Sequence, residues 1–320
     1  MSEIKPAHLS VLVDAVVKYA LPENGKIFVD GTFGLGGHTR AVLAAYPAVE
    51  RVIGIDRDAE ILDYSCKILD DPRIKRYQAN ASDLPEILSN AGISGVDGIL
   101  LDLGVSSYQL DNPARGFSFS KPGPLDMRMN LDQPDTAEDL VNDLDRQELV
   151  RIFREYGEEK FSGRIADAII QSRADSRITT TDRLAAIIRN AVPAYNRHQS
   201  QIHPATRVFQ ALRIAVNKEL EEIESFLAIA LKCLNPGGHL SIISFHSLED
   251  RLVKSFMQKY HKGCDCPPQF PVCICGKKPQ LEILTRKAIF AEEEEISQNP
   301  RSRSARLRSA RKSIVEVNGR

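Results

Sequence analysis

Short apolar runs alternate with amphipathic stretches along the first hundred residues. The apolar runs predict four strands, at 26–30, 51–56, 74–78 and 96–102. Between them, the apolar spacing over 39–46 and 59–69 predicts helices. Strands separated by helices of this length are typical of βαβ units, so the pattern predicts a mostly parallel sheet.

The alternation stops after the fourth strand. Residues 104–130 are rich in glycine, proline, serine and aromatic residues and are too long for a simple connection. Residues 136–192 have helical periodicity, and strand character returns at 239–245, after the breaker NPGG. We therefore predict an α/β fold in which a helical insertion interrupts the sheet domain.

The predicted boundaries divide the chain into four segments. The sheet domain takes 1–130, with a substrate-facing loop at 104–130, and it resumes at 206–290 after an inserted helical domain at 131–205. The last segment, 291–320, combines an acidic run with arginines among serines and alanines. This composition predicts a solvated charged tail, with RNA contact as the alternative.

Composition and charge exclude some classes of protein. The net charge of −1 over 320 residues argues against binding nucleic acid by bulk positive charge, although local basic patches stay open. No stretch approaches the ~20 apolar residues of a membrane span. The first residues also lack the apolar run of a secretory signal. We therefore expect a cytoplasmic protein that does not bind membranes.

The turn DGTFGLGGH, at 30–38, follows the first strand and carries the first candidate chemistry. A dinucleotide site requires glycine at relative positions one, three and six, but counting from Gly34 the sixth residue is Thr39. An acid that ends a strand and is followed by alternate glycines is instead typical of a turn that binds S-adenosylmethionine. The glycines let the backbone pass close to the ligand, although Thr32 stands where a glycine is more usual.

Two further acids end predicted strands. Asp56 follows the second strand, where a carboxylate can accept both ribose hydroxyls of an adenosyl group, and Asp102 follows the fourth. The carboxyl ends of parallel strands meet at one edge, which is where open α/β sheets bind ligands. Together with Asp30, these acids predict a class I (Rossmann-like) methyltransferase with S-adenosyl-L-methionine as cofactor.

Six blocks of sequence point to a particular family. They are, in order, DGTFGLGGH (30–38), DGILLDLGVSS (97–107), RGFSF (115–119), GPLDMRM (123–129), HPATR (203–207) and SIISFHSLEDR (241–251). Together they resemble the bacterial RsmH (MraW) family over nearly the whole chain. The resemblance implies methylation of N4 of one cytidine of 16S rRNA near the ribosomal P site. It also implies the small ribosomal subunit as partner, with a homodimer left open.

The resemblance implies site residues as well. The cofactor contacts that it implies are Gly36, Gly37, His38, Asp56, Ala81, Asp102 and Gln109. Ala81 stands where the family often has an aromatic residue beside the adenine. Many amino-methyltransferases place an Asp/Asn-Pro-Pro-aromatic segment after the fourth strand, and DLGVSS replaces it here. By position, Asp102 is the first candidate for the catalytic group that accepts a proton from N4.

Phe117 and Phe119, in the loop after the fourth strand, are candidate contacts to the RNA. Aromatic side chains beside cations suit base stacking, and the alternative is that both rings anchor the loop. Arg213 and Asn217 are candidates because they share a mostly uncharged helix face with other polar residues, as the i, i+4 spacing requires. His246 either borders the substrate or caps a helix.

Two other functions stay open. The same fold serves DNA methyltransferases that act on N4 of cytosine or N6 of adenine, although the missing Asp-Pro-Pro-aromatic segment counts against that function. A non-catalytic ribosome-binding factor is the second alternative. It has no physical need for all three acids.

Four cysteines lie close together at Cys264, Cys266, Cys273 and Cys275. Four thiolates at such close spacing can form a tetrahedral zinc site, although the one-residue gaps are tighter than the usual two. Free thiols in a proline-rich loop are the alternative. No metal is assigned to the catalytic site.

Overall fold

The computed structural model describes residues 9–193, 203–264, 266–267, 269–270, 272 and 274–314. The chain divides into two compact units. Unit 1 comprises Met1–Gly104 and Leu220–Arg320, and unit 2 comprises Val105–Glu219. In the part of the chain that is described, no helix has the length and apolarity needed to cross a membrane.

The strands belong to unit 1. They are β1 (Ile27–Asp30), β2 (Arg51–Asp56), β3 (Ile74–Gln78), β4 (Val96–Asp102), β5 (Leu234–Ser244), β6 (Leu281–Ile283), β7 (Ile289–Phe290) and β8 (Arg306–Lys312). They form one sheet in the order β3-β2-β1-β4-β5-β8-β6, with β7 also paired to β8. The first five strands are parallel, as predicted, and β8 is antiparallel to β5, β6 and β7.

The helices of both units follow in chain order. They are α1 (Val13–Tyr19), α2 (Gly37–Ala45), α3 (Ala59–Ile68), α4 (Leu84–Asn90), α5 (Ser107–Asp111), α6 (Ala137–Asp143), α7 (Arg146–Glu155), α8 (Ser162–Asp175), α9 (Thr181–Ala191), α10 (Ala205–Asn217), α11 (Glu219–Cys233), α12 (Ser247–Lys262) and α13 (Glu293–Gln298). Short 3₁₀ turns occur at Ala81–Asp83, Pro113–Arg115 and Pro300–Ser304.

Helices cover both faces of the sheet because successive residues of a strand point to opposite faces. On β4, Leu101 packs with residues of α4, α11 and α12, whereas its neighbour Leu100 packs with residues of α1 and α2. Both leucines are almost completely buried. The central strands therefore carry apolar runs without alternation, which is the pattern of a parallel sheet buried on both sides.

The predicted charged tail at 291–320 is wrong for residues 306–312, which form β8. Leu307, Ser309 and Ala310 are buried in the sheet, and the cationic side chains between them find acceptors. The Arg308 guanidinium donates to Asp250 at 2.7 Å, and Lys312 Nζ donates to backbone carbonyls of α11 and β5. The arginines mask the pattern of a strand whose neutral residues are buried and whose cationic side chains have acceptors.

Unit 2 is the helical insertion, and it is longer than the predicted 131–205. The loop before residue 131 buries Phe117, Leu125, Met127 and Met129 in the same core as α6 to α9. Helix α10 belongs to that core as well. The described members of this core all belong to unit 2, and the insertion runs from Val105 to Glu219.

Candidate cofactor and catalytic site

Three carboxylates lie at the carboxyl ends of three neighbouring strands. Asp30 ends β1, which lies between β2 and β4 in the sheet. Asp30 pairs with Gly54 of β2 and with Leu100 of β4, so Asp56 and Asp102 each lie two residues beyond its level. A two-residue step keeps a side chain on the same face of a sheet. The register therefore places all three acids on one face of the sheet at this edge. The sequence predicted the shared edge and made no prediction about the face.

The glycine turn wraps around the buried ring of Phe33. Gly34 and Gly36 have φ of 52° and 76°, in the left-handed region that glycine adopts without strain. A Cβ at position 54 of β2 would lie 2.4 Å from Phe33 Cδ2, so the neighbouring strand also needs a glycine there. The Arg76 guanidinium lies 5.1 Å from the centre of the ring. Sequence reasoning missed this role of Phe33.

Two threonines tie the turn to the acids. The backbone N–H of Asp102 donates to Thr32 Oγ1 at 2.6 Å, and Thr39 Oγ1 donates to Asp30 Oδ2 at 2.7 Å. Thr32, the departure from the usual glycine pattern, thus joins the turn after β1 to the end of β4. A glycine at this position has no hydroxyl with which to accept that hydrogen bond.

Asp56 fixes the path of the turn through backbone donors. Its Oδ2 accepts from Gly34 N at 2.8 Å and its Oδ1 accepts from Asp58 N at 3.0 Å. Each carboxylate oxygen has a second lone pair, so these bonds leave Asp56 able to accept from ribose hydroxyls. Burial raises the pKa of Asp56 to about 6, although the two backbone donors act in the opposite direction.

Asp30 and Asp102 each bury one carboxylate oxygen that accepts no hydrogen bond from the described residues, namely Oδ1 in both cases. Burial raises the pKa of Asp30, and it raises the pKa of Asp102 to about 6. The nearby charge of Asp30 adds to the rise at Asp102, whereas His38 opposes it. Buried acceptors of this kind call for a donor or a positive charge from a ligand.

His38 is almost fully buried at the start of α2 and lies beside Asp102. Its Nε2 is 2.8 Å from the carbonyl oxygen of Val11, which can only accept, so this nitrogen carries a proton. Its Nδ1 is 3.7 Å from Asp102 Oδ2. Gly37 precedes it, and a Cβ there would lie 2.1 Å from Ser10 Oγ. The segment 36–38 is therefore held against the N-terminal stretch and close to the acids.

Ala81 lies beside the same edge. It is nearly buried, and it begins the 3₁₀ turn that follows β3. A Cβ added to Gly31 would lie 3.5 Å from the Ala81 Cβ, which shows how close Ala81 is to the end of β1. Unit 1 thus brings together Gly36, Gly37, His38, Asp56, Ala81 and Asp102, the predicted cofactor residues of this unit.

Gln109 belongs to unit 2, where it forms a capping box. Its Oε1 accepts from Ser106 N at 3.1 Å, and its own N–H donates to Ser106 Oγ at 3.2 Å. These two bonds fix the first turn of α5. The structure thus gives Gln109 a local structural role, and its contact with the cofactor stays a prediction.

The aromatic residues predicted to bind RNA pack inside unit 2. Phe117 is buried in the core, and the Phe119 ring lies 4.8 Å from the rings of both His203 and Phe209. Arg115, a cation of the same loop, is buried and donates to the carbonyl oxygens of Arg128 and Met129. These contacts match the alternative in which the rings anchor the loop. Stacking on RNA stays a prediction.

The polar face of α10 also makes contacts within unit 2. The Arg213 guanidinium pairs with Glu219 at 2.7 Å through both Nε and Nη2. Asn217 is buried and holds the loop, since its Oδ1 accepts from Met129 N and its Nδ2 donates to Met127 O. Asn217 is therefore a clamp for the loop at 127–129, and RNA contact by Arg213 and Asn217 stays a prediction.

We expect Asn217→Ala to lower the free energy of unfolding by about 2–4 kcal/mol, because it leaves the buried Met129 N–H and Met127 carbonyl without partners. Urea unfolding measures this loss. Asp167→Ala, which removes an exposed ion pair on α8, is the control and should change little. Unchanged stability together with weaker RNA binding would instead assign Asn217 to the RNA.

His246 caps α12. Its Nδ1 accepts from Glu249 N at 3.4 Å, and the Glu249 carboxylate in turn accepts from the backbone N–H of His246. The Glu249 side chain also accepts from Phe245 N at 2.7 Å. Of the two roles that the sequence left open for His246, the helix cap is the one observed.

The sheet order, the acid and glycine turn after β1 and the acids ending β2 and β4 define a class I methyltransferase with an inserted helical unit. Comparison with known sequences gives the family: the profile of the MraW methylase family matches residues 5–313, and the chain belongs to this family.

Two curated relatives carry the name Ribosomal RNA small subunit methyltransferase H. The relative from Syntrophotalea carbinolica is 49% identical over 95% of this chain and 98% of its own, and that from Geobacter sulfurreducens is 48% identical over 96% and 99%. A solved rRNA methylase from Streptococcus thermophilus aligns over 94% of this chain and 93% of its own at 10% identity. Its TM-score of 0.40 is below the level that establishes a shared fold.

Proposed function

We propose that this chain transfers a methyl group from S-adenosylmethionine to the N4 amino group of a cytidine in the RNA of the small ribosomal subunit. The observation that carries the proposal is the position of Asp30, Asp56 and Asp102 at one edge of the sheet. One buried oxygen of Asp30 and one of Asp102 accept no hydrogen bond from the described residues. The names of the relatives support small-subunit rRNA as the substrate. The family resemblance supports N4 of cytidine.

The site residues suit a cationic adenosyl ligand. S-adenosylmethionine supplies a methyl group on a positively charged sulfur, so no metal is needed as an electrophile. Asp56 accepts the ribose hydroxyls. Gly36 and Gly37 let the turn pack against Phe33 and Ser10, and their backbone contacts the methionine part. Asp30, with its charge buried, compensates the positive charge of the ligand.

Asp102 accepts the proton that leaves the cytosine amino group. The N4 lone pair is delocalised into the ring, so N4 becomes a nucleophile only as its geometry changes and a proton is held by an acceptor. The bond from N4 to carbon forms while the bond from sulfur to carbon breaks, and the proton passes to the Asp102 carboxylate. With a pKa of about 6, Asp102 is ionised at neutral pH and ready to accept.

A transfer assay tests the function. Labelled S-adenosylmethionine is incubated with small ribosomal subunits, deproteinised 16S rRNA and duplex DNA, and the digested nucleosides are analysed. We expect N4-methylcytidine from the small-subunit RNA and no label in DNA. Label in DNA alone supports the DNA methyltransferase alternative. Cofactor binding with no transfer to any substrate supports the non-catalytic factor.

The remaining assignments follow from this substrate. We propose that the enzyme acts in the cytoplasm, where bacterial small subunits are assembled, and that 16S rRNA within the subunit is its partner. The cofactor contact of Gln109 and the RNA contacts of Phe117, Phe119, Arg213 and Asn217 stay predictions from the sequence. A homodimer stays open.

Cofactor affinity should fall in acid. Asp56 and Asp102 have a pKa of about 6 and bind the cationic ligand as carboxylates. As the pH falls through 6, each becomes protonated, so the association constant should drop by about tenfold per pH unit for each group below its pKa. Calorimetric titrations from pH 8 to pH 5 measure the drop. An affinity that is constant over this range contradicts the role of both acids.

A further inference from the structure

The loop between α12 and β6 is closed at its base. Gln280 N donates to Tyr260 O at 2.9 Å, and His261 Nδ1 lies 3.1 Å from Leu281 O. Gly263 ends α12 with φ of 65°, and a Cβ there would lie 2.4 Å from Pro279 N. The last turn of the helix and the start of β6 therefore meet backbone to backbone.

Three cysteine sulfurs converge within this closed loop. The Sγ atoms of Cys264, Cys266 and Cys275 all lie within 4.8 Å of one another, and those of Cys264 and Cys275 are 3.7 Å apart. A disulfide requires about 2.05 Å, so Cys264 and Cys275 are not joined by one. Two sulfurs bound to one tetrahedral zinc ion at 2.3 Å are about 3.8 Å apart. The observed separation of Cys264 and Cys275 fits joint coordination.

Backbone amides point at the sulfurs. Cys266 N donates to Cys264 Sγ at 3.4 Å, and Ile274 N donates to Cys266 Sγ at 3.4 Å. Hydrogen bonds of this kind orient the sulfurs as ligands. Among the described residues of the loop, the thiols are partly buried and the apolar side chains of Phe270, Val272 and Ile274 are exposed, so those three side chains do not hold it together.

We propose that Cys264, Cys266 and Cys275 bind one zinc ion, which holds this loop in its closed form. Thiolates select zinc over the harder divalent ions, and binding releases the thiol protons to solvent. The ion takes one further ligand. Cys273, the fourth cysteine of the sequence cluster, lies outside the described residues. The ion takes no part in methyl transfer, so the proposal does not rest on the proposed function.

Metal analysis of the full chain, purified in reductant without chelator, tests the proposal. We expect about one zinc per chain in the wild type and a loss of most of it in Cys264→Ser and in Cys275→Ser. Cys66→Ser is the matched control, because Cys66 is an exposed cysteine of α3 outside this loop, and it should keep its zinc. Iron in place of zinc, or full zinc in Cys264→Ser, overturns the assignment.

Two measurements on the wild type test the zinc site without relying on the folding of a variant. After chelation, cobalt should restore one equivalent of metal with the intense absorption of thiolate-to-cobalt charge transfer. Chelation should also expose residues 264–277 to protease, and zinc should restore protection. A chain that binds neither metal under reducing conditions overturns the proposal, as does a loop whose cleavage is the same with and without zinc.

Discussion

Asp102→Asn should lower the turnover number for methyl transfer by about 10²–10⁴-fold, the range that a positioned proton acceptor contributes. The amide keeps the size of the side chain, and the hydrogen bond from the residue 102 backbone N–H to Thr32 does not depend on the side chain. Turnover at saturating cofactor and subunit concentrations measures the effect. Near-normal turnover would remove Asp102 from the catalytic role.

The same substitution should stabilise the chain when no cofactor is bound. Burial raises the pKa of Asp102 from 3.8 to about 6, so the folded state favours the protonated form. The protonated carboxyl is tolerated in the fold below pH 4. As the pH rises through 6 the carboxyl ionises, and the free energy of unfolding falls by up to about 3 kcal/mol. Asparagine carries no charge, so Asp102→Asn should unfold later than the wild type at pH 8 and similarly to it at pH 4.

A matched control separates this effect from a general change in surface charge. Asp63→Asn replaces an exposed acid of α3 and should change neither turnover nor the pH dependence of unfolding. Asp102→Asn that is inactive and also less stable than the wild type at pH 8 would contradict the account, because the loss of activity would then reflect damage to the fold.

Asp56→Ala should weaken cofactor binding by about 10²–10⁴-fold. The variant loses two acceptor oxygens for the ribose, each worth about 1.5–3 kcal/mol when charged, and it frees Gly34 N and Asp58 N from their present bonds. Because we assign Asp56 to the ribose and not to the reacting atoms, turnover at saturating cofactor should stay within severalfold of the wild type. The KM for cofactor should therefore rise while kcat is nearly kept.

The contrast between the two variants is the test of their roles. Asp102→Asn should lower kcat and, because it also removes a carboxylate from the cofactor site, raise the KM for cofactor. Asp56→Ala should raise KM with kcat nearly kept. Asp63→Ala is the control for Asp56→Ala and should change neither constant. A low kcat in Asp56→Ala at saturating cofactor would place Asp56 in the chemical step. It would contradict the assignment of Asp56 to cofactor binding alone.

The sequence predicts the parallel strands of the sheet, because they follow from local patterns of apolar and polar residues. Strands β1 to β5 were predicted because apolar runs and helical spacing alternate over short distances, and the ends of β1, β2 and β4 follow from their acids. The sequence does not predict strand β8, because arginines such as Arg306, Arg308 and Arg311 are typical of a solvated tail. Their acceptors, among them Asp250 and Glu282, are distant in sequence and are brought close only by the fold.

The candidate site shows the same limit. The acids could be predicted because each ends a strand, but the bond from Asp102 N to Thr32 joins residues 70 positions apart. The hydrogen bond from Met129 N to Asn217 Oδ1 joins residues 88 positions apart. Helical spacing alone therefore predicted Asn217 as an RNA contact. The insertion boundaries were misplaced for a similar reason, because the core of unit 2 is completed by residues on both sides of the predicted segment.

The most direct test of the account is a calorimetric titration of the purified chain with S-adenosylmethionine at pH 8, followed by Asp30→Leu under the same conditions. We predict one cofactor per wild-type chain and affinity at least tenfold weaker in the variant, which removes a buried carboxylate but adds no charge. Cofactor binding that is absent in the folded wild type, or unchanged in folded Asp30→Leu, would contradict the claim that the acids on this edge hold the adenosyl ligand.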